Sequence, residues 1–223
     1  MSANAAMLLW YDIVPGEVDQ HDDWHTREHF PERIGIPGFL SAQRWVAHAG
    51  TTPRCFVRYD VRDIGVLTSP AYAARLDNPS DWTRRMMPHF RGMVRGFCGI
   101  EHRVGSAMGC EMLTIRCDAD AARRADLSQW LGRQCLPAIA HRRGFAGAWM
   151  LAAKVSPPMT AEQAIRGRDA GVDAVVLVSG YTADLLDDLM RNDLAPDALE
   201  AHGVMPGAVH GRYRFACRAD AAD

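Results

Sequence analysis

A shift of 106 residues lays this chain on itself. Trp24 falls on Trp130, Pro31 on Pro137, Gly38-Phe39 on Gly144-Phe145, and Asp12 on Asp118. Self-similarity at a fixed period marks one supersecondary unit used twice. In the first copy, Met7 to Val14 reads as a strand, Asp22 to Ile34 as a helix, and Phe39 to His48 and Arg54 to Arg62 as strands. A helical region opens at Ser69-Pro70 and continues through Trp82, Met86, His89, Phe90 and Met93 at helical spacing, before a strand from Phe97 to Gly105. The second copy repeats the order: strand Glu111 to Cys117, helix Asp126 to His141, strands Phe145 to Lys154 and Ala174 to Tyr181, helix Thr182 to Asn192, strand Ala208 to Arg218. It adds an insertion, Val155 to Gly171, with Pro157-Pro158 and a short helix capped by Thr160 and Gln163. Each copy therefore reads β-α-β-β-α-β, the ferredoxin-like order. This predicts an α+β chain with a repeat at 1–108, a second at 109–223 and a junction near Gly109.

Length and composition narrow the classes. The 223 residues, 48% hydrophobic and 23% charged, suit a folded globular chain. A net charge of −2 argues against a protein held on nucleic acid. No apolar run approaches the roughly 20 residues of a membrane span, and Asp12 interrupts the only early one, so no membrane association and a cytoplasmic location are expected. Six scattered cysteines form no metal-type pair and read as reduced thiols.

The two copies differ chemically on their first helix. At 100° per residue, Leu127, Leu131, Cys135 and Ala138 share a sector in the second copy. The first copy puts His21, His25, His29 and Glu32 there, with Glu28 beside them. Unpaired burial of such groups costs several kcal/mol, so the sector opens onto a pocket or stays wet. In the pocket reading His25 or His29 is the acid/base and Glu28 or Glu32 orients it. The second copy, lacking these residues, would serve as scaffold. His89 points to the same sheet among Met86, Phe90 and Met93. On the strands, Arg44 offers a carboxylate clamp, Tyr59 a phenol and Trp10 a stacking surface, although strand alternation lets only one of each adjacent pair face the helices.

Some motifs point elsewhere. His25-Thr-Arg-Glu-His29 spells H-x-x-E-H, a zinc-peptidase signature, but Pro31 interrupts the helix and no third ligand is evident, so no metal is expected. Arg143 to Met150 partly matches an RNA-recognition strand, with Gly147 where a stacking aromatic is needed. Serine-hydrolase, Walker and dinucleotide-binding motifs are absent from the sequence.

Trp24-His25-x-x-Glu28-His29-x-Pro31-Glu32-Arg33, followed by Ile36-Pro37-Gly38-Phe39-Leu40 and the strand bearing Arg44, resembles the dimeric α+β barrel superfamily, most nearly its EthD-like bacterial proteins. The resemblance implies two ferredoxin-like sheets packed face to face, within one chain or across a homodimer, with a small-molecule pocket between sheet and helices. That superfamily holds isomerases, cyclases, cofactor-free monooxygenases and haem enzymes, and one fold hosts many reactions. The expectation is a cofactor-free enzyme acting on a small hydrophobic, aromatic-derived acid by proton transfer (isomerisation, decarboxylation or cyclisation) or by oxygenation. The alternatives are a non-catalytic small-molecule binder, and a haem protein using His89 or His29.

Overall fold

The computed structural model describes residues 2–156 and 160–222; the Pro157-Pro158 pair of the insertion lies outside them. Eight strands form one closed antiparallel barrel in the order β1-β3-β2-β8-β5-β7-β6-β4. They are β1 (Ala5–Ile13), β2 (Phe39–Ala47), β3 (Cys55–Val61), β4 (Phe90–Val104), β5 (Glu111–Cys117), β6 (Phe145–Val155), β7 (Ala174–Gly180) and β8 (Val209–Asp220). The first half contributes β4-β1-β3-β2 and the second β8-β5-β7-β6, the same order twice. Pairing of β2 with β8 and of β4 with β6 closes the barrel within a single chain. Gly109 lies in the β4–β5 connection, its N–H held by Ser179 Oγ.

Strand alternation sorts side chains into three cores. Met7, Tyr11 and Ile13 of β1 face outward onto first-half helices, with Val57 and Tyr59 of β3. Leu113, Ile115, Val176 and Val178 face second-half helices. Leu8, Trp10, Trp45, Phe56, Trp149 and Tyr213 fill the lumen. Trp10, expected at the pocket, is therefore in the lumen, where its Nε1 donates to Thr114 Oγ1 at 3.2 Å and its ring stacks on Phe56. Its neighbour Tyr11 takes the helix side.

The halves share one irregularity. The first helix is α-helical at Val18–Trp24, π-helical at His25–His29 and α-helical again at Phe30–Ile34. Its counterpart runs Arg124–Trp130, Leu131–Cys135 and Leu136–Ile139 in the same three forms. The Phe30 N–H reaches back to the His25 carbonyl, and the Leu136 N–H to that of Leu131. A proline next along each chain, Pro31 or Pro137, lacks an N–H and would clash with the carbonyl four residues back; the wider turn makes room for it. The helix thus passes through Pro31.

The expected helical run from Trp82 to Met93 ends early. Helices cover Pro70–Asp77 and Asp81–Met86, a 3-10 turn holds Met87–His89, and Phe90 already begins β4. Pro88 cannot donate a helical hydrogen bond and disfavours helix at Met87. His89, now in a turn, lies outside the cavity wall described below. No helix among the described residues is long and apolar enough to cross a membrane.

Gly38 and Gly144, matched by the repeat, open β2 and β6 with φ of 97° and 96°. A Cβ would lie 2.5 Å from Val66 Cγ2 at the first and 2.4 Å from Thr182 Oγ1 at the second. Gly50 has φ of 82° and nothing within 4 Å of such a Cβ. Positive φ alone costs alanine about 1–2 kcal/mol. Gly38→Ala and Gly144→Ala are each expected to lose more than that in urea unfolding, and Gly50→Ala no more than that. Equal losses at all three positions would remove the steric contribution.

Candidate functional site

The π turn sets which side chains of the first helix point inward. By adding a residue to the turn, it shifts the inward column from the expected Glu32 to Arg33. His21, His25 and Arg33 are all buried, with relative exposures of 0%, 3% and 1%. His29, half-buried, lines the same cavity. In the second half the column is Leu127, Leu131, Cys135 and Ile139, all buried, while Ala138 is exposed. Sequence reasoning missed Arg33 because a uniform 100° step carries no π turn; the repeated proline was the available signal.

The imidazoles stack, His21 on His25 at 5.1 Å and His25 on His29 at 5.4 Å between ring centres. Arg44 Nη1 lies 3.3 Å from His25 Nδ1, and the Tyr59 hydroxyl 3.5 Å from Nε2. A guanidinium can only donate, so Nδ1 is the acceptor and the proton of the neutral ring sits on Nε2. At His21, Nδ1 is 2.9 Å from Asp22 Oδ1 and Nε2 is 2.9 Å from the Tyr11 hydroxyl. The carboxylate must accept from Nδ1–H, which leaves Nε2 to accept from the phenol. Tyr11, His21 and Asp22 therefore form a phenol–imidazole–carboxylate chain, running from the cavity wall to a carboxylate side chain 32% exposed. His29 Nδ1 is buried with no partner among the described residues.

Burial holds all three imidazoles below their ordinary pKa, aided at His25 by its histidine neighbours and Arg44, and at His29 by Arg33. At His21 burial outweighs the opposing pull of Asp22. Burial likewise pushes the Tyr11 and Tyr59 phenols up, so both are neutral. Asp22 is drawn upward by burial but ends below its usual range, because His21 and Arg44 favour the carboxylate.

The other expected residues are placed as follows. Arg44 and Tyr59 meet His25. Glu28 turns away from the histidines, accepting from Ser80 Oγ at 2.5 Å, Trp24 Nε1 at 3.1 Å and Thr83 Oγ1 at 3.3 Å. Glu32 pairs with Arg75. With Glu28 so engaged and Arg44 placing a cation against His25, the H-x-x-E-H segment does not converge on a common point.

The cavity between helix and sheet is about 40 Å³, room for a few waters. Met7, Leu9, Val57, Leu76, Met87, Phe90 and Met93 make its apolar wall, and Tyr11, His25, His29, Arg33, Tyr59 and Arg95 its polar one. Its cover comes from the other half: Glu162 and Arg166, on the insertion helix Ala161–Arg166, line it too. A site confined to 1–108 is therefore incomplete. Glu162 Oε1 accepts from Arg33 Nη2 at 2.5 Å, and Gln163 Oε1 from Arg95 Nη2 at 3.2 Å. Asp169 takes Arg166 Nη2 at 2.8 Å and lies 2.9 Å from Arg95 Nε, at an angle too bent for a hydrogen bond. Three buried guanidiniums thus face two buried carboxylates, and Arg33 Nη1 has no partner among the described residues.

A haem does not fit these residues. Of the two expected haem ligands, His89 is outside the wall, and His29, although its Nδ1 is open, faces a cavity of about 40 Å³, far below the roughly 300–1,000 Å³ of ordinary ligand pockets.

No protein-family model matches the sequence. Nor does any curated protein match it. Solved structures do match in fold. An "anthrone oxidase-like protein" superposes with a TM-score of 0.69 at 9% identity, over 98% of this chain and 93% of that one. A "putative monooxygenase" from Lactobacillus acidophilus gives 0.61 at 10%, over 98% and 97%. A "putative chlorite dismutase" gives 0.57 at 9%, over 97% and 96%. The fold shared with these structures is an α+β barrel built of two ferredoxin-like halves. The likeness does not single out EthD-like proteins.

Two outcomes follow from this geometry. His25→Leu copies the second half but leaves Arg44 Nη1 short of one acceptor, and should cost about 1–3 kcal/mol. In the second half the residue matching Arg44 is Met150, packed in the apolar core. Adding Arg44→Met should recover most of the loss, and strictly additive losses in a double-mutant cycle would show that the two residues do not interact. The second outcome concerns pH. Folded imidazoles with lowered pKa bind protons later than unfolded ones, so stability falls as pH drops below about 6.5, by up to about 1.4 kcal/mol per pH unit for each imidazole. Thermal melting from pH 8 to pH 5 should show this slope, smaller in the His25→Leu, Arg44→Met variant. An unchanged slope would place the titrating groups elsewhere.

Proposed function

We propose that this cavity belongs to a cofactor-free enzyme that takes a proton from a small hydrophobic, aromatic-derived acid, with oxygenation by molecular oxygen as the favoured outcome. The observation that carries the proposal is the pairing of an unpartnered neutral imidazole with surplus buried positive charge on an apolar cavity. An isolated buried cation costs several kcal/mol, so the third guanidinium suits an anionic ligand, or one that becomes anionic on losing its proton.

In this reading His29 Nδ1 accepts the substrate proton, and Arg33 and Arg95 hold the resulting anion. Tyr11 acts at the other side. As its hydroxyl proton passes to a substrate atom, the phenolate left behind takes back, through cavity water, the proton that His29 accepted, because His21 carries none at Nε2 and Asp22 is a carboxylate. An acid and a base on opposite walls serve isomerisation or cyclisation. In oxygenation the carbanion itself reduces oxygen, and abstraction alone is required. His25, with both nitrogens held, positions the column. The fold shared with an anthrone oxidase-like protein and a putative monooxygenase supports oxygenation. An aromatic substrate needs more than the present volume, which the flexible Met7, Met87 and Met93 and the covering helix would provide by moving.

The test uses the full chain, treated with chelator, with anthrone as the probe. Oxygen uptake and anthraquinone absorbance should rise above the enzyme-free rate, and His29→Gln should lower kcat by about 10²–10⁴-fold, whereas Tyr11→Phe, whose proton oxygenation does not use, should change it far less. Saturable binding without oxygen uptake or any product would reduce the protein to a binder. Turnover untouched by His29→Gln would move the chemistry elsewhere.

A further inference from the structure

One end of the barrel lumen holds a second cavity, separated from the histidine column by the sheet itself. It measures about 690 Å³, within the usual range for small-molecule pockets. Its wall includes Ser41, Gln43, Arg58, Asp60 and Trp149. Gln43 and Arg58 are paired across β2 and β3. Their chain neighbours Arg44 and Tyr59 face the opposite way onto His25. The middle of the lumen is packed mainly with apolar and aromatic side chains, with Thr114 paired to Trp10 and Arg116 over the Trp10 ring. Polar residues at this end therefore require their own explanation.

Arg58 is buried, with relative exposure of 2%, and lies 4.4 Å over the Trp149 ring. Its Nε and Nη2 are held by Asp60 Oδ1 at 2.9 and 2.7 Å. Asp60 Oδ2 accepts from Ser41 Oγ at 3.2 Å and Gln43 Nε2 at 3.3 Å. This network fixes every group in it yet leaves two ends open. The donor Arg58 Nη1 and the acceptor Gln43 Oε1 have no partner among the described residues. Arg103 and Arg218 join the wall with Asp220, so three positive side chains face two negative ones.

We infer that this end of the lumen binds a small carboxylate that also carries a hydrogen-bond donor, in the manner of a 2-hydroxy or 2-amino acid. The carboxylate takes the open Arg58 donor under the attraction of the rim arginines, and the hydroxyl or amine donates to Gln43 Oε1. A buried amide oxygen and a buried guanidinium left open together select for both groups on one molecule, because either alone leaves the other unsatisfied.

Isothermal titration of the full chain with lactate and with propionate, which lacks the hydroxyl, tests this directly. Lactate should bind at least about tenfold more tightly, the worth of one good hydrogen bond. Gln43→Met should erase that preference while propionate binding persists, and Arg58→Met should abolish both. Where Arg58→Met does not fold, as judged by its melting curve, the Gln43→Met comparison still decides. His25→Leu should leave lactate binding unchanged, which separates this site from the helix-side cavity. No binding of either acid up to about 10 mM, or equal affinity for the two, would overturn the inference and leave water as the occupant.

Discussion

Closure of the barrel governs everything else in this structure. Every strand has a neighbour on both sides, so no row of backbone N–H and C=O groups remains at an open edge. The junctions that achieve this, β2 with β8 and β4 with β6, join the two halves by main-chain pairing. Once the ring is shut, strand alternation sends each side chain either into the lumen or out beneath a helix. That sorting puts Trp10, Trp45 and Phe56 out of reach of the histidines, and it puts Tyr11, Arg44 and Tyr59 under them.

The helix resting on that outer face has the same backbone in both halves, π turn included, but opposite contents. The second half fills the column with Leu127, Leu131, Cys135 and Ile139. The first fills it with three imidazoles and a guanidinium, each less favourable to bury than its counterpart. The imidazoles are tolerated because they are neutral and because His21 and His25 find partners. Arg33 is tolerated because Glu162 arrives from the other half. Stability sacrificed at one face, with the matching face of the repeat left apolar, is the pattern expected where binding or chemistry has displaced packing.

The cover extends that logic. The insertion in the second half sets Glu162, Gln163 and Asp169 against Arg33, Arg95 and Arg166, and each of these groups is buried. Buried ion pairs hold geometry more than they add stability. Their incomplete balance leaves the cavity electropositive, while histidines held neutral remain able to accept a proton.

The sequence alone set out the matched positions of the two halves, the order of strands and helices along each, and His25, His29, Arg44 and Tyr59 as candidate site residues. These follow from periodicity and from comparing matched positions, both of which are local. It could not separate Trp10 from Tyr11, because alternation supplies the period and only the closed sheet supplies the side. It placed Glu32 inward and missed Arg33, because the π turn is a response of the whole helix to proline and packing. His89 was lost to a strand that begins sooner than its helical spacing suggested. Tertiary structure alone decided that the cover of the first half's cavity comes from residues 161–169, and that the lumen ends in an open guanidinium and amide. Contacts between residues so distant in the chain leave no periodic trace, and they exist only after the barrel has brought the strands around to meet.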